Sequence, residues 1–173
     1  LMVGGNESTR TAIAHGLRLL MEHPDQLQHL VDHPEDIPAA TEEMLRYNTA
    51  FIAMRRTATQ DIDWQGYHIK KGDKVVMHYH SVNHDEEVFG DDALSFDIHR
   101  MKRMPSLNRD LRSFGIGQHF CLGINLARLE MRIMFEELLP RLRNPQLAGD
   151  ITYMRSFFIS TIKRMPITFT PER

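Results

Sequence analysis

The single cysteine of the chain, Cys121, stands directly before its strongest helical pattern, and this arrangement narrows the possible folds more than any other. Apolar residues recur at helical spacing across residues 122–139, which predicts a long helix there. Free backbone N–H groups and the helix dipole at such a helix start favour a thiolate over a thiol. Gly115, Gly117 and Gly123 flank the cysteine and permit a sharp turn or the close approach of a large flat partner. A lone cysteine is usually a small buried apolar side chain, but this setting favours a thiolate that binds a soft or borderline metal.

The composition excludes several classes of protein. The 173 residues include 21 Lys and Arg against 23 Asp and Glu, so the net charge of −2 argues against a nucleic-acid binder. One cysteine excludes an intrachain disulfide and a zinc site made of cysteines alone. No apolar run approaches the roughly 20 residues that span a bilayer, so we expect no membrane span and a cytoplasmic protein. The histidines outside the cysteine segment show no spacing typical of a metal site, and we expect them to be structural or surface residues.

The hydrophobic pattern predicts a mainly α fold with small β-sheets. We expect helices at 1–22, 24–33, 37–47 and 122–139, and short strands at 51–54, 61–64, 67–69, 74–77, 151–153, 157–159 and 167–169. Residues 85–112 lack periodicity, and a meander of this length in a compact domain is more often functional than accidental. No capping residue precedes the first helix, as a cut through a helix would produce, so we expect residues 1–173 to be the C-terminal portion of a longer protein.

Residues 114–123, here called the Cys121 loop, resemble the heme-binding loop of cytochrome P-450 enzymes. The family pattern F-G-x-G-x-H-x-C-x-G fixes six positions, and all six are present: Phe114, Gly115, Gly117, His119, Cys121 and Gly123. The resemblance implies that Cys121 is the axial thiolate ligand of the iron in heme b, with Phe114 packed nearby and His119 meeting a heme propionate. A thiolate ligand pushes electron density onto the iron and favours O–O cleavage.

A second match is the E-x-x-R sequence formed by Glu43 and Arg46 in the helix predicted at 37–47. Alone, such a pair is common as a solvated ion pair on one helix face. At this distance before the Cys121 loop it resembles the structural Glu–Arg pair that locks the meander against this helix in the family. Family members usually carry a basic residue just before the Phe of the meander, whereas Ser95 precedes Phe96 here. Arg100 is a possible substitute, and the sequence does not decide between the alternatives.

The first helix contains Gly4-Gly5-Asn6-Glu7-Ser8-Thr9, although a glycine inside a helix costs about 1 kcal/mol relative to alanine. The segment resembles the motif A/G-G-x-D/E-T-T in the oxygen-binding helix of the family. The expected helix 1–22 would therefore correspond to the oxygen-binding helix. By this resemblance Gly4 and Gly5 make room for porphyrin and oxygen, and Glu7 and Ser8 form the acid–alcohol pair that relays protons. Ser8 replaces the usual Thr, so its rotamer is less fixed, and the adjacent Thr9 could share the task.

Two groups of basic residues have both a functional and a surface interpretation. Arg56 matches the family's arginine for the second heme propionate, and a guanidinium suits a carboxylate, whereas Arg55 is expected to be a surface charge. Between residues 99 and 112 the chain has five basic residues and a single acidic one, Asp110. This basic run is either a solvated charge run or a docking face for an acidic ferredoxin. These five are Arg100, Lys102, Arg103, Arg109 and Arg112.

The resemblance covers the whole chain and implies the C-terminal part of the cytochrome P-450 fold. It implies a bacterial monooxygenase that uses dioxygen to hydroxylate a lipophilic small molecule of the alkane, fatty acid, sterol or terpenoid class. Electrons would come from NAD(P)H through a ferredoxin and its reductase, because no flavin or nicotinamide fingerprint is present. The alternatives are a peroxygenase that uses hydrogen peroxide, which the intact Glu7-Ser8-Thr9 relay argues against, and an inactive heme-binding fragment.

Overall fold

Three helices from distant parts of the sequence cross at Gly16 and form the core. The structure, a computed structural model, describes residues 2–171. The crossing helices are α1 (Met2–Glu22), α3 (Ile37–Tyr47) and α8 (Ile124–Leu138), and α2 (Pro24–Asp32) lies between the first two in the chain. A methyl group on Gly16 would lie 2.7 Å from Phe135 Cζ and 2.8 Å from Met44 Sδ, so only glycine allows this approach.

The described residues also form four two-stranded antiparallel sheets. The strand pairs are β1 (Ala53–Thr57) with β4 (Lys74–His78), β2 (Ile62–Trp64) with β3 (Tyr67–Ile69), β5 (Leu142–Leu147) with β8 (Ile167–Pro171), and β6 (Thr152–Tyr153) with β7 (Ile162–Arg164). The β2–β3 hairpin turns through Gln65 and Gly66, both with positive φ, as a two-residue turn of this kind requires. Between β4 and α8 the chain forms four short helices: α4 (Tyr79–Val82), α5 (Glu86–Phe89), α6 (Arg100–Arg103) and α7 (Leu107–Asp110).

The predicted mainly α class is confirmed, and the helices begin and end within two residues of the expected positions. The expected strand at 157–159 is wrong, because Ile159 makes only an isolated bridge to Phe51. The sequence analysis missed β5, which contains Pro145, because a proline usually excludes a strand. The strand tolerates it at an irregularity in the β5–β8 register, where Asn144 takes a positive φ.

The apolar face of α8 is divided between core and surface. Met131 and Phe135 are completely buried, whereas Leu126, Leu129 and Ile133 are largely exposed. The helix therefore carries more apolar surface than the described residues cover. Over residues 2–171, none of the helices combines the length and the hydrophobicity that crossing a bilayer requires.

Candidate functional site

The Cys121 loop is a short turn closed by the main chain in front of α8. The Cys121 N–H donates to the Phe114 carbonyl at 3.0 Å, so the first phenylalanine and the cysteine face each other across the loop. Gly115 and Gly117 have φ values of +75° and +70°, a region that L side chains rarely adopt. Two of the predicted glycines are thus required by the backbone itself.

The thiol of Cys121 is partly exposed and forms no disulfide. A methyl group on Gly123 would lie 4.0 Å from its Sγ, so glycine keeps that side of the sulfur clear. Ile116, Phe120 and Leu122, all within five residues of the thiol, are 60%, 50% and 85% exposed. Apolar side chains exposed in one cluster usually mark a binding surface. The loop therefore offers a soft ligand atom next to apolar residues that the described part of the chain leaves uncovered.

Glu43 and Arg46 form a buried ion pair instead of a solvated one. Arg46 donates from Nε to Oε2 at 2.7 Å and from Nη2 to Oε1 at 2.8 Å, and both side chains are fully buried. Arg100 is the third member, since its Nε lies 3.1 and 3.2 Å from the two Glu43 oxygens. The Ser95 carbonyl accepts from both arginines, at 3.0 and 2.9 Å. The structure thus answers the question left open at Ser95: the basic residue stands five positions later.

Arg100 also donates from Nη1 to Asp92 Oδ1 at 2.8 Å, which gives this arginine a second carboxylate. Glu43, Arg46, Arg100 and Asp92 are here called the Glu43 cluster. A fork of N–H groups on two carboxylates is among the stronger hydrogen-bond arrangements in proteins. The cluster holds the chain after α5 against α3, as the resemblance implies.

Asn83, which the sequence analysis missed, links the Glu43 cluster to the Cys121 loop. Its carbonyl accepts from Arg46 Nη1 at 2.8 Å, and its fully buried side chain donates to Ser113 Oγ at 2.8 Å. The same side chain accepts from the Arg112 N–H at 2.6 Å. Its partners lie 29 to 37 residues away, so no local pattern in the sequence marks this asparagine.

Phe114 is held from the side of α8. The Arg128 guanidinium lies 5.3 Å from the centre of the Phe114 ring, within the range of a cation–π contact. Arg128 in turn donates from Nη2 to Glu42 Oε2 at 2.7 Å. Burial raises the pKa of Glu42, and the hydrogen bond from Arg128 opposes that rise. Residues of α3 and α8 thus fix the Phe114 end of the loop.

The glycines predicted on α1 lie on an open face. Gly4 and Gly5 are exposed, and a methyl group on either would meet no atom within 4 Å. Ser8 Oγ donates to the Gly4 carbonyl at 2.6 Å, which places the hydroxyl on the glycine face. The Thr9 side chain is buried away from this open face, with an exposed fraction of 5%. The geometry therefore favours Ser8 over Thr9 as the hydroxyl facing an open site.

Glu7 lies at the junction of α1 with the C-terminal tail. Its Oε1 accepts from Arg10 at 2.7 Å and from Thr161 Oγ1 at 2.9 Å. The Thr161 hydroxyl lies 3.1 Å from that of Thr11, so three side chains form a hydrogen-bonded row. Hydrogen bonds from Arg10 and then Thr161 lower the pKa of Glu7, so this carboxyl is ionised at neutral pH. Thr161 was not expected, because it lies 154 residues from Glu7.

Arg56 and Arg55 lie on opposite sides of strand β1. Arg55 is exposed, whereas Arg56 is half-buried and makes its one side-chain hydrogen bond, at 3.1 Å, to the Arg55 carbonyl. Over residues 2–171, no carboxylate forms an ion pair with Arg56. His119 is exposed at the end of a single 3-10 turn, Gly117–His119. No hydrogen bond between described residues connects Arg56, Glu7 or Ser8 directly to the Cys121 loop.

The basic run between residues 99 and 112 is smaller at the surface than expected. Arg100 is buried in the Glu43 cluster, which corrects its assignment to a docking face. Lys102 and Arg103 are each paired with aspartates of neighbouring segments. Arg109 is exposed, and Arg112 is half-buried with its Nη1 donating to carbonyls of its own turn. The expected docking face is thereby reduced to Arg109 and Arg112.

The loop, its buried support and the open helix face define a chain suited to hold a large flat group through a thiolate. The sequence model of the cytochrome P-450 family matches residues 37–149. The chain belongs to the cytochrome P-450 family, which confirms the resemblance.

Three similar proteins illustrate how the chain relates to this family. It is 39% identical to a steroid C26-monooxygenase of Mycolicibacterium smegmatis, over 99% of this chain and 42% of that protein. It is also 39% identical to a linalool 8-monooxygenase of Pseudomonas putida, over 99% of this chain and 40% of that protein. The structure of cytochrome P-450 CYP109Q5 from Chondromyces apiculatus superposes with a TM-score of 0.91 at 34% identity, over 99% of this chain and 43% of that one. The chain thus spans about 40% of the length of the curated relatives it matches.

The residues present fit heme b, the cofactor that members of this family bind. The thiol of Cys121 is a suitable axial ligand, and Gly123 leaves space beside its sulfur. The half-buried guanidinium of Arg56 has no carboxylate partner within residues 2–171, which suits a propionate. The open face at Gly4 and Gly5 leaves room for a flat ring.

Proposed function

We propose that the protein is a heme-thiolate monooxygenase that inserts one atom of dioxygen into a C–H bond of a lipophilic small molecule. The observation that carries this proposal is the position of Cys121, in a loop closed by its own main chain and supported by the buried Glu43 cluster through Asn83. Bound heme would supply the activation of dioxygen. The chain itself supplies the ligand, the orientation of the ring and a source of protons.

Cys121 would hold the heme iron through Sγ. The first N–H groups of α8 have no carbonyl partner within the helix, and such groups stabilise a thiolate. Phe114 would pack beside the sulfur, fixed by Arg128. His119 and Arg56 would bind the two propionates, one from the loop and one from strand β1. Gly115, Gly117 and Gly123 keep side chains away from the ring.

Glu7 and Ser8 would supply protons at the open face of α1. Ser8 Oγ now donates to the Gly4 carbonyl, and a χ1 rotation would turn its proton toward a ligand beside Gly4 and Gly5. The Glu7 carboxylate is held by Arg10 and Thr161 and its side chain is 39% exposed, so it can take up a proton from solvent and pass it on toward the glycine face. Loss of a positioned proton donor costs about 10²–10⁴-fold in the step it serves. An intact relay favours dioxygen over hydrogen peroxide as the oxidant.

The substrate class and the electron donor are parts of the same proposal. Relatives named for steroid and linalool oxidation support a lipophilic substrate such as a sterol, terpenoid, fatty acid or alkane. We further propose NAD(P)H and a ferredoxin as the source of electrons, with Arg109 and Arg112 near the Cys121 loop as the positive docking face. A single unpaired cysteine suits a cytoplasmic enzyme.

The carbon monoxide difference spectrum of the reduced holoenzyme tests the central assignment. We expect the red-shifted band of a thiolate ligand in the wild type and a globin-like band, or no heme, in Cys121→His. The matched control is Phe120→Leu, which changes an exposed neighbour and leaves the sulfur in place. An unchanged band in Cys121→His would refute the ligand assignment. If the enzyme turned over substrate with hydrogen peroxide but not with NAD(P)H and a ferredoxin, the proposed monooxygenase activity would be wrong and the protein would be a peroxygenase.

A further inference from the structure

Three histidines and an aspartate from separate segments meet at the surface beside α2. His29 lies on α2, His33 and Asp36 lie in the turn that leads to α3, and His99 directly precedes α6. The ring centre of His29 lies 4.7 Å from that of His33 and 4.5 Å from that of His99. One potential ligand atom each of His29, Asp36 and His99 lies within 4.8 Å of the other two. The proposed oxidation chemistry uses none of these residues.

The three atoms form a donor set that suits a borderline divalent ion. Two imidazole nitrogens and one carboxylate oxygen are ligands that zinc takes readily, with water in the remaining position. With Zn–N distances of about 2.0–2.1 Å, tetrahedral ligand atoms lie roughly 3.4 Å apart. His29 Nε2 and Asp36 Oδ2, now 2.7 Å apart, would therefore have to separate by about 0.7 Å, and the longer separations of up to 4.8 Å would have to shorten by at most about 1.4 Å. All three side chains are only partly buried, so side-chain rotations of this size are sterically available.

Asp36 is prepared for this role by its neighbours. Its Oδ2 accepts from His29 Nε2 at 2.7 Å and from Lys102 Nζ at 2.8 Å. Zinc bound between His29 and Asp36 would take the place of the proton in their contact, and that proton would leave to solvent. The Lys102 ammonium lies where a cation would bind, but 57% of that side chain is exposed and it can leave into solvent. A metal ion and Lys102 therefore compete for the same oxygen.

We propose that His29, Asp36 and His99 bind a divalent ion of the zinc class. The site would connect the α2–α3 turn to the residue immediately before Arg100, a member of the Glu43 cluster. The ion would thus cross-link two segments of the chain, since Asp36 and His99 are 63 residues apart in the sequence. The ion lies outside the heme site, and the proposal does not depend on the monooxygenase reaction.

Isothermal titration of the purified holoenzyme with zinc chloride, together with zinc-edge anomalous diffraction, tests the site. We expect one zinc ion between His29, Asp36 and His99. We expect His99→Ala to weaken its affinity at least about 10-fold, because even the outer hydrogen-bond partners of a metal site are worth about 10–100-fold. Lys102→Met removes the competing cation and should tighten zinc binding by about 5-fold, the upper value for an exposed ion pair. If the histidines had only a structural role, Lys102→Met would not increase the affinity for zinc.

The matched control is His68→Ala on the β2–β3 hairpin. His68 Nδ1 lies 2.7 Å from Asp63 Oδ1, so this is also a His–Asp pair, but it belongs to no three-ligand group among residues 2–171. We expect its loss to leave zinc affinity unchanged. The proposal is overturned if the wild type binds no zinc, if the anomalous peak lies elsewhere, or if His99→Ala binds zinc as the wild type does. Circular dichroism of each variant distinguishes loss of the site from loss of the fold.

Discussion

The Glu43 cluster and the Cys121 loop are connected through Asn83, yet they differ in how far this chain supplies partners for their side chains. In the cluster, Glu43 and Arg46 are completely buried, and their charges are met by hydrogen bonds from within the chain. In the loop, Leu122 is 85% exposed, and the thiol of Cys121 has no disulfide partner. Asn83 connects the two regions: its main-chain carbonyl accepts from the cluster, and its side chain bonds to the residues just before the loop.

The difference indicates two roles: the Glu43 cluster stabilises the fold, and the Cys121 loop provides a surface for binding. Buried charges persist only when partners compensate them, so the cluster fixes one arrangement of the meander. A loop held from behind by this arrangement keeps its ligand atom in place while leaving it free to bind. Changes in the cluster should therefore act on folding, and changes in the loop or on the open face of α1 should act on binding.

Removal of the shared carboxylate should have the largest effect. Glu43→Gln leaves Arg46 and Arg100 buried without their common counter-charge, and breaking a buried pair costs about 3–5 kcal/mol in the free energy of unfolding. Denaturant unfolding followed by circular dichroism measures this loss. Ser95→Ala is the control, since Ser95 contributes only its carbonyl to the arginines and should stay near wild type. Equal stability of the two variants would show that the cluster is not the support.

Acid should weaken the seam between α1 and the C-terminal tail. His15 donates from Nε2 to the Ser160 carbonyl at 2.6 Å, and burial lowers its pKa from 6.5 to about 4. The unfolded chain therefore takes up a proton as the pH falls below 6.5, while the folded chain does not until about pH 4. The stabilising contribution is complete above pH 6.5 and is lost toward pH 4, by about 3 kcal/mol.

The free energy of unfolding measured from pH 7 to pH 4 tests this expectation. His15→Gln should show a flatter profile, because glutamine has no proton to take up. Identical profiles for His15→Gln and the wild type would contradict the assignment.

Loss of the connection between the two regions should have an intermediate effect. Asn83→Ala removes the partner of Ser113 Oγ and of the Arg112 N–H, and an unsatisfied buried group costs about 1–3 kcal/mol. The fold should survive, whereas heme should leave the protein faster because the start of the loop loosens. The rate of heme transfer to apomyoglobin measures this change. Asn108→Ala, at an exposed side chain, should leave the rate unchanged.

Gly5 and Gly16 on α1 should respond to alanine with opposite signs, and the change at Gly5 should be the smallest effect of all. Gly5→Ala fills open space and removes a poor helix former, so we expect up to about 1 kcal/mol of added stability. Gly16→Ala instead forces a methyl group to 2.7 Å from Phe135 Cζ and should lower stability. Thermal unfolding of both variants measures the opposite signs. A destabilised Gly5→Ala would mean that the face is not open, and a Gly16→Ala variant as stable as the wild type would contradict the clash.

Local patterns in the sequence predicted the long helices and the turn glycines of the Cys121 loop, and the resemblance carried by short motifs predicted the Glu43–Arg46 pair and the family. These features depend on residues within about ten positions of each other, where helical periodicity and backbone sterics act directly. The thiolate role of Cys121, the relay at Glu7 and Ser8 and the propionate role of Arg56 stay predictions. The same local reasoning failed at residues 157–159, where apolar character suggested a strand that has no continuous partner.

Only the tertiary structure decided which distant groups meet. Arg100 completes the Glu43 cluster across 57 residues, and Thr161 reaches Glu7 across 154. His29 and His99 share no spacing in the sequence, yet their rings lie 4.5 Å apart. Each of these contacts depends on how helices and meander pack. Hydrogen bonds and ion pairs between separate segments follow from three-dimensional proximity, which no pattern within a single segment encodes.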